Sequence, residues 1–549
     1  MKKDQNFNSQ IDNMLEFLEL ERDFISEKDF IPRVYQAQVE TLKRWKSGKT
    51  RLYTFITQGK RSSSYKSRRI KNFYNEKIER NLSQKQSVIN AISAEFPIFC
   101  IQGPPGTGKT SVIIEIIRQE LRQNPKKKII ISSQSNLAVD NVLEKLIDIK
   151  NVKVLRLGHE EKVTEKIKPY LLNNIKSKLY FKNSINTIVW NVLKFILLSP
   201  ILMLSKNPKR FNRKKNPDLY QLIASQINVI GATCIGSYDN IVKFLDEEKK
   251  SIGLVIVDEA GRSTTMETFV PLQFAQRAVL VGDQKQLPPV LKPEIRTAWI
   301  QKFKTKNLDD CPGYYSFFEF ISNRMPKEAQ SVLNIQFRMH PQIGNFVSQV
   351  FYQQEGLTTG ITEKANSLPI EGFPQAVSYH PTAKYNQQRF EKFHDGMKSY
   401  YNQAEAKVII QLLKLIDSKN IQAGISVISF YSAQQELIKQ LLAKLTLKNI
   451  KHVDVATLDS FQGREQDIII LTLVRSAEEV KGFDAGWYRF FLDLKRLNVA
   501  LSRAKKRLMI VGDLERLMLI NRNREKIPGF EAVEQLIKYI DDNNLKVEI

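Results

Sequence analysis

Cysteine is nearly missing from this chain: 3 among 549 residues, at positions 100, 234 and 311. Cys100, Cys234 and Cys311 are odd in number and widely spaced, with no C-x-x-C pair. That excludes a disulfide framework and a Cys/His-rich zinc domain. No secretory leader is expected either, because Met1-Lys2-Lys3-Asp4-Gln5 opens no apolar core; the expected location is cytoplasmic. Long apolar runs are limited to Ile188–Leu204, 17 residues interrupted by Asn191 and Lys194 and broken by Pro200. A spanning helix wants about 20 apolar residues with few charges. The run therefore reads as a buried or interfacial helix, and no stable membrane insertion is expected. Internal repeats and low-complexity segments are absent as well.

Negative charge is the other shortage. Asp and Glu total 58 against 84 Lys and Arg, a net charge of +26. Such an excess favours a polyanionic partner, with nucleic acid foremost. Two segments hold most of it. Residues 33–80 carry 14 basic and 3 acidic side chains, and residues 151–225 carry 15 and 4, a net of +11 in each. In the first, Tyr35, Trp45, Tyr53, Phe55, Tyr65, Phe73 and Tyr74 stand among the cations. They could stack on bases, or form a small aromatic core beneath a solvated surface. Asn13–Arg22 has the spacing of a docking or packing helix. The second segment breaks the strand–helix rhythm around it and reads as a helical basic insertion over about 160–225.

What the chain has in place of these is a phosphate-binding signature. Pro97-Ile98-Phe99-Cys100-Ile101 reads as a buried strand, Gly103-Pro104-Pro105-Gly106-Thr107-Gly108-Lys109-Thr110 as a Gly-rich turn, and Ser111–Ile117 as the start of a helix. That order is the one a P-loop needs. The glycines let the backbone aim its N–H groups at phosphate oxygens, and the helix adds its positive end. Lys109 reaches the β- and γ-phosphates and Thr110 holds Mg²⁺. The chain is thus expected to bind a nucleoside triphosphate with Mg²⁺.

Further apolar runs follow at 128–133, 228–233, 253–257 and 278–282, each with polar residues at its carboxyl end. This is the pattern of a parallel sheet covered on both faces, with ligands beyond the strand ends. Asp258 and Glu259 close one such run. The Asp suits a metal shell and the Glu the attacking water, so hydrolysis is expected. A second set of buried strands begins near Ser331 and includes 426–429, 467–472 and 507–512, with no second P-loop. Residues 352–400 read as loop-rich.

In order along residues 81–513, these motifs resemble the superfamily 1B helicases of the nonsense-mediated-decay and Smubp-like type. Asn81-Leu82-Ser83-Gln84 resembles the family's Q motif, whose glutamine reads adenine. Ser135-Asn136-Leu137-Ala138-Val139-Asp140 and Ala232-Thr233-Cys234 resemble motifs that line its strand groove, which implies nucleic-acid contacts at Ser135, Asn136 and Thr233. Gly282-Asp283-Gln284-Lys285-Gln286 is similar to motif III, with Gln286 on the γ-phosphate. Gln336-Phe337-Arg338-Met339-His340 implies Phe337 as the ring stacking on the base and Arg338 as an arginine finger. Ser460-Phe461-Gln462-Gly463-Arg464-Glu465 implies a strand contact at Ser460 and a ribose contact at Glu465. Asn498–Ala504 implies Arg503 as the second finger.

The resemblance implies two tandem RecA-like α/β domains and ATP-driven 5′–3′ movement along single-stranded RNA or DNA. Hydrolysis would be coupled to closure of a cleft. The expected layout is an N-terminal accessory region (1–83), a first RecA-like domain (84–290), a linker (291–330), a second RecA-like domain (331–520) and a helical tail (521–549). Two features depart from the family. The family's β-barrel has little room before the Q motif, and Arg262 stands where the family usually has Gln. A clamp or remodelling subunit of a larger complex, possibly a nuclease or defence complex, is the alternative. A protein partner would then meet the N-terminal region or the basic insertion.

Overall fold

The computed structural model describes residues 2–24, 31–50, 52–58, 70, 72–93, 96–177, 223–241, 252–304, 311–461, 463–478, 493–522 and 530–549. The apolar run 188–204, most of the basic insertion, Tyr65 and Gln462 lie outside the described residues. The chain forms two compact units: 1–101, 110–282 and 289–331 make the first, and 102–109, 283–288 and 332–549 the second.

The first unit is built on a seven-stranded sheet of order β3-β4-β2-β5-β6-β1-β7. Its strands are β1 (Ile98–Gln102), β2 (Ile129–Ser133), β3 (Val154–Arg156), β4 (Val229–Thr233), β5 (Leu254–Val257), β6 (Ala278–Gly282) and β7 (Gln330–Val332). Pairings β3–β4, β4–β2, β2–β5 and β5–β6 are parallel. β1, β2, β5 and β6 are buried along their whole length. Their near-continuous β-branched runs are what a sheet covered on both faces requires.

Three expectations change here. The strand near Ser331 joins the first sheet as β7 and does not open the second set. Residues 291–330, read as a linker, contain helices Pro293–Phe303 and Phe317–Ser322, whose Trp299 and Phe317 are buried in the first unit's core. Finally, Trp45 and Phe55 are core residues and are closed to base stacking. Trp45 is fully buried, stacks on Phe269 at 4.4 Å and donates its indole N–H to the Phe269 carbonyl at 3.3 Å. Helices Lys2–Phe24 and Pro32–Lys46 supply this packing, with Phe17 against Trp299 at 5.8 Å. Only Tyr74 of the interleaved aromatics is markedly exposed among the described residues, and the Arg118 guanidinium lies 3.9 Å from its ring centre.

The second unit carries short strands β8 (Ile335–Gln336) and β9 (Thr358–Thr359), then β10 (Val377–Pro381), the antiparallel hairpin β11 (Lys392–His394) and β12 (Ser399–Tyr401), β13 (Ile425–Ser429), β14 (Val453–Thr457), β15 (Gln466–Thr472) and β16 (Ala504–Gly512). Its main sheet has the order β10-β16-β15-β13-β14, parallel throughout. The stretch 352–400 is thus less loop-like than its sequence suggests, since it supplies an edge strand and a hairpin. Alternate residues feed two cores: Ile469 and Leu471 enter one, Ile468 and Ile470 the other. A period of two with both faces apolar follows from the pleat. Helix Phe530–Asp542 buries Phe530, Val533, Leu536 and Ile540 against one of these faces.

Candidate active site

The carboxyl ends of β2, β4 and β5 in the first sheet carry Ser135, Asn136, Thr233, Asp258 and Glu259. Ser133 and Thr233 are paired neighbours on β2 and β4, so Ser135 and Asn136 follow one strand while Thr233 ends the next. Ser135 caps helix Asn136–Leu143, its hydroxyl accepting the Ala138 N–H at 3.1 Å. The Asn136 side-chain oxygen accepts from Arg156 Nη2 at 2.8 Å. Arg156 is itself fully buried, with its Nε 2.7 Å from Asp140 Oδ1. Thr233 Oγ1 accepts the Gly236 N–H at 3.2 Å.

Asp258 follows β5, is almost fully buried, and accepts the Glu259 N–H at 2.9 Å. Glu259 stands at φ 53°, the left-handed region a non-glycine residue rarely adopts. Strain of this kind concentrates at functional sites. Thr110 lies in the first turn of helix Lys109–Gln123. A hydroxyl and a carboxylate are hard oxygen donors, and Mg²⁺ commonly takes one or two such groups beside substrate phosphates. No cluster of three or more His, Cys, Asp or Glu suited to a metal occurs among the described residues. Gln84 is buried in helix Leu82–Ser93, its N–H held by the Asn81 side chain at 3.1 Å.

The P-loop segment 102–109 packs with the second unit. Gly106 and Gly108 have φ of 76° and 80°. A Cβ on Gly103 would stand 2.4 Å from Lys109 Cγ, and one on Gly106 would stand 2.6 Å from Arg338 Cβ. Only glycine fits this cradle. Thr107 donates to the Pro104 carbonyl at 2.7 Å, Lys109 Nζ to the Gly103 carbonyl at 2.8 Å, and Phe337 N–H to the Gly106 carbonyl at 2.9 Å. Pro104 and Pro105 are buried, whereas the Phe337 ring is 45 % exposed.

Beside the loop runs a polar chain. Gln286 Nε2 donates to Asp283 Oδ2 at 2.7 Å, and the Tyr352 hydroxyl donates to the same oxygen at 2.5 Å. Asn498 Nδ2 reaches both the Tyr352 hydroxyl and the Lys285 carbonyl at 2.6 Å. Arg503 Nη2 donates to Gln286 Oε1 at 3.2 Å, so two of the expected residues meet directly. Burial pushes the Asp283 carboxyl above its usual range, although the Lys109 charge and these hydrogen bonds pull against it. Burial and the neighbouring Asp283 raise the Tyr352 phenol.

Arg338 Nε lies 2.5 Å from Glu465 Oε2, and Lys505 Nζ lies 2.9 Å from Glu465 Oε1. Burial works to raise the Glu465 carboxyl, but the Arg338 and Lys505 charges outweigh it and hold the group below its ordinary value. Ser460, in the second unit, is exposed beyond β14, its hydroxyl bonded to the Thr457 carbonyl at 2.9 Å. Tyr352, Asn498 and Lys505 escape a reading of motifs as a site. Asn498 and the neighbour of Lys505 fall within a quoted motif, but Tyr352 lies in a stretch without pattern.

Family models described as AAA domain match residues 79–194 with 201–294, and residues 314–515. The chain is 30% identical over 486 residues to the DNA polymerase alpha-associated DNA helicase A of Saccharomyces cerevisiae, covering 81% of this chain and 66% of the yeast protein. It belongs to the superfamily 1B helicases of the nonsense-mediated-decay type. An Arabidopsis thaliana relative, the regulator of nonsense transcripts 1 homolog, is 31% identical over 79% of this chain, which spans 32% of that protein. An uncharacterised ATP-dependent helicase of Methanocaldococcus jannaschii is 27% identical over 84% of the chain and 72% of its own length. The chain thus spans about two thirds or less of the length of several relatives it matches. The PRRSV helicase structure aligns over 81% of this chain and 57% of its own, at 13% identity and a TM-score of 0.34. So loose a likeness carries no argument; the two parallel sheets and the paired AAA matches establish the tandem RecA-like helicase architecture. No helix among the described residues is long and apolar enough to cross a membrane.

Proposed function

We propose that the chain is a nucleic-acid-dependent ATPase that moves 5′ to 3′ along a single strand of RNA or DNA. The observation that carries this is the P-loop packed with Arg338 and with the Arg503–Gln286–Asp283 chain in one unit. Charge developing on a γ-phosphate needs fixed cations and donors at hand, and Lys109, Arg338, Arg503 and Gln286 are such groups. Glu259 orients and deprotonates the attacking water, and Gln84, Phe337 and Glu465 hold the nucleoside. Thr110 and Asp258 would hold Mg²⁺, which when bound supplies neutralisation of phosphate charge. Arg338 leaves Glu465 when it turns to phosphate, so the ion pair is one thing nucleotide binding exchanges. Ser135, Asn136, Thr233 and Ser460 contact the strand.

The test is ATP hydrolysis by the purified full chain with and without matched RNA and DNA oligonucleotides, with duplex displacement read in the same reaction. Strand-stimulated hydrolysis, abolished in Lys109→Ala and Glu259→Gln, is expected. Equal rates with and without strands refute the proposal. Stimulation without displacement favours the clamp or remodelling role.

A further inference from the structure

The hairpin β11–β12 is not part of the helicase motifs, and its side chains form an unusual surface. Residues 392–398 are all exposed, and Phe393 and Met397 are 47 % and 38 % exposed among Lys392, His394 and Lys398, with Asp395 the single acid there. A single exposed ring is ordinary on a protein surface; this one stands among cations on an aromatic stack, a combination that suits unpaired bases and their phosphates.

The ring stands on a rigid base. Phe393 pairs across the hairpin with Tyr400, ring centres 4.9 Å apart, and Tyr400 meets Tyr431 edge-on at 5.8 Å. The Arg475 guanidinium, fully buried, lies 4.2 Å from the Tyr400 centre and 5.4 Å from that of Tyr431. Arg475 Nε is 3.3 Å from Glu391 Oε2, which also accepts the Ser476 N–H at 2.6 Å. Ser399 Oγ accepts the Ala433 N–H at 3.2 Å, and Asn402 Nδ2 donates to the Arg389 and Val474 carbonyls at 2.7 and 3.2 Å. Val474 itself sits at φ 69°, strain that a β-branched residue bears only where its surroundings impose it.

Tyr431 follows β13 and Val474–Arg475 follow β15, so the column rises from the carboxyl edge of the second sheet. β13 lies between β15 and β14, and Ser460 follows β14. Phe393 therefore crowns the same edge that holds a proposed strand contact. Aromatic rings on a positive surface bind unpaired bases without regard to sequence, while neighbouring cations take the phosphates. A pre-set ring loses little freedom on stacking.

We infer that Phe393 is a base-stacking platform for single-stranded nucleic acid, with Lys392 and Lys398 as its phosphate contacts. This rests on the strand-binding function proposed above. The test uses the full chain with fluorescent oligo-dT and oligo-U at several salt concentrations, read by anisotropy. Phe393→Ala is expected to weaken binding about 10-fold, the scale of one lost base stack, with Phe393→Trp restoring it. Lys392→Ala and Lys398→Ala each flatten the salt dependence by about one unit of slope. Melting temperature separates loss of contact from loss of fold, since an exposed ring contributes little to stability. If the parent chain binds and Phe393→Ala binds equally well, the platform is refuted and the hairpin's apolar tip serves another partner. A parent chain that binds neither oligonucleotide refutes the strand-binding function and the platform with it.

Discussion

The buried Arg156–Asp140 pair offers a sharp test of how the first unit holds the edge proposed to contact the strand. Asp140 Oδ1 meets Arg156 Nε at 2.7 Å and Oδ2 accepts the Thr164 N–H at 2.8 Å, both side chains being essentially sealed from solvent. Arg156 also donates to the Leu157 carbonyl and to Asn136. Asp140→Ala leaves a buried guanidinium without its counter-ion, which costs about 3–5 kcal/mol, and Arg156→Met strands the carboxylate at a similar cost. The double variant buries no charge. It loses the charge-assisted hydrogen bonds to the Thr164 N–H, the Asn136 side chain and the Leu157 carbonyl, leaving those neutral groups without these partners at about 1 kcal/mol each. Its destabilisation is therefore expected at about 2–4 kcal/mol, far below the sum of the singles, a coupling of several kcal/mol. Hydrogen exchange in peptides covering β2 and β4 reads the opening of this unit alone, which a global melt of a two-unit chain does not. Additivity within about 0.5 kcal/mol would refute the pair as a mutually compensating buried charge couple. The double variant has a second readout. Asn136 loses the donor that orients it, so strand binding is expected to weaken even where stability is largely recovered.

Gly106→Ala places a Cβ 2.6 Å from Arg338 Cβ at a φ of 76°, so fluorescent ATP analogue titration is expected to show at least about 10-fold weaker binding; parental affinity refutes the cradle geometry. Trp45→Ala is expected to destabilise the first unit by about 3–5 kcal/mol in hydrogen exchange, and a change below about 1 kcal/mol refutes its place in the core. Glu405, fully buried, has its carboxyl pushed up by burial from 4.5 to about 8. A raised carboxylate favours the fold when protonated, so its contribution is complete below about pH 4.5 and is lost as pH rises through about 8. Glu405→Gln, which stays neutral, is thus expected to gain stability relative to the parent between pH 5 and pH 9; a pH-independent difference in melting temperature refutes the assignment.

How much of this was legible beforehand depended on how far apart in the chain the cause lay. The strands around the P-loop, the Asp258–Glu259 pair and the order of the motifs are written in short runs of apolar and polar residues. Local spacing alone decides them, because pleat, turn and helix repeat over a few residues. The same reading left Trp45 undecided between base stacking and core, since its partner Phe269 lies 224 residues away. It placed the strand at Gln330–Val332 in the wrong sheet, because a short strand carries no mark of which edge it joins. It also passed over Tyr352, whose hydroxyl completes the Asp283 site from a stretch that reads as loop.

The sequence by itself determined that this chain has a nucleotide loop, parallel sheets, the ordered motifs of a helicase family and an excess of basic charge. Each of those follows from residue type at fixed short spacing. Only the tertiary structure decided which arginine meets which carboxylate, that Arg338 pairs with Glu465 and Arg503 bonds Gln286, and that Phe393 stands exposed on a column ending in buried Arg475. Such contacts join residues tens to hundreds of positions apart, and their worth depends on burial, which no local pattern encodes.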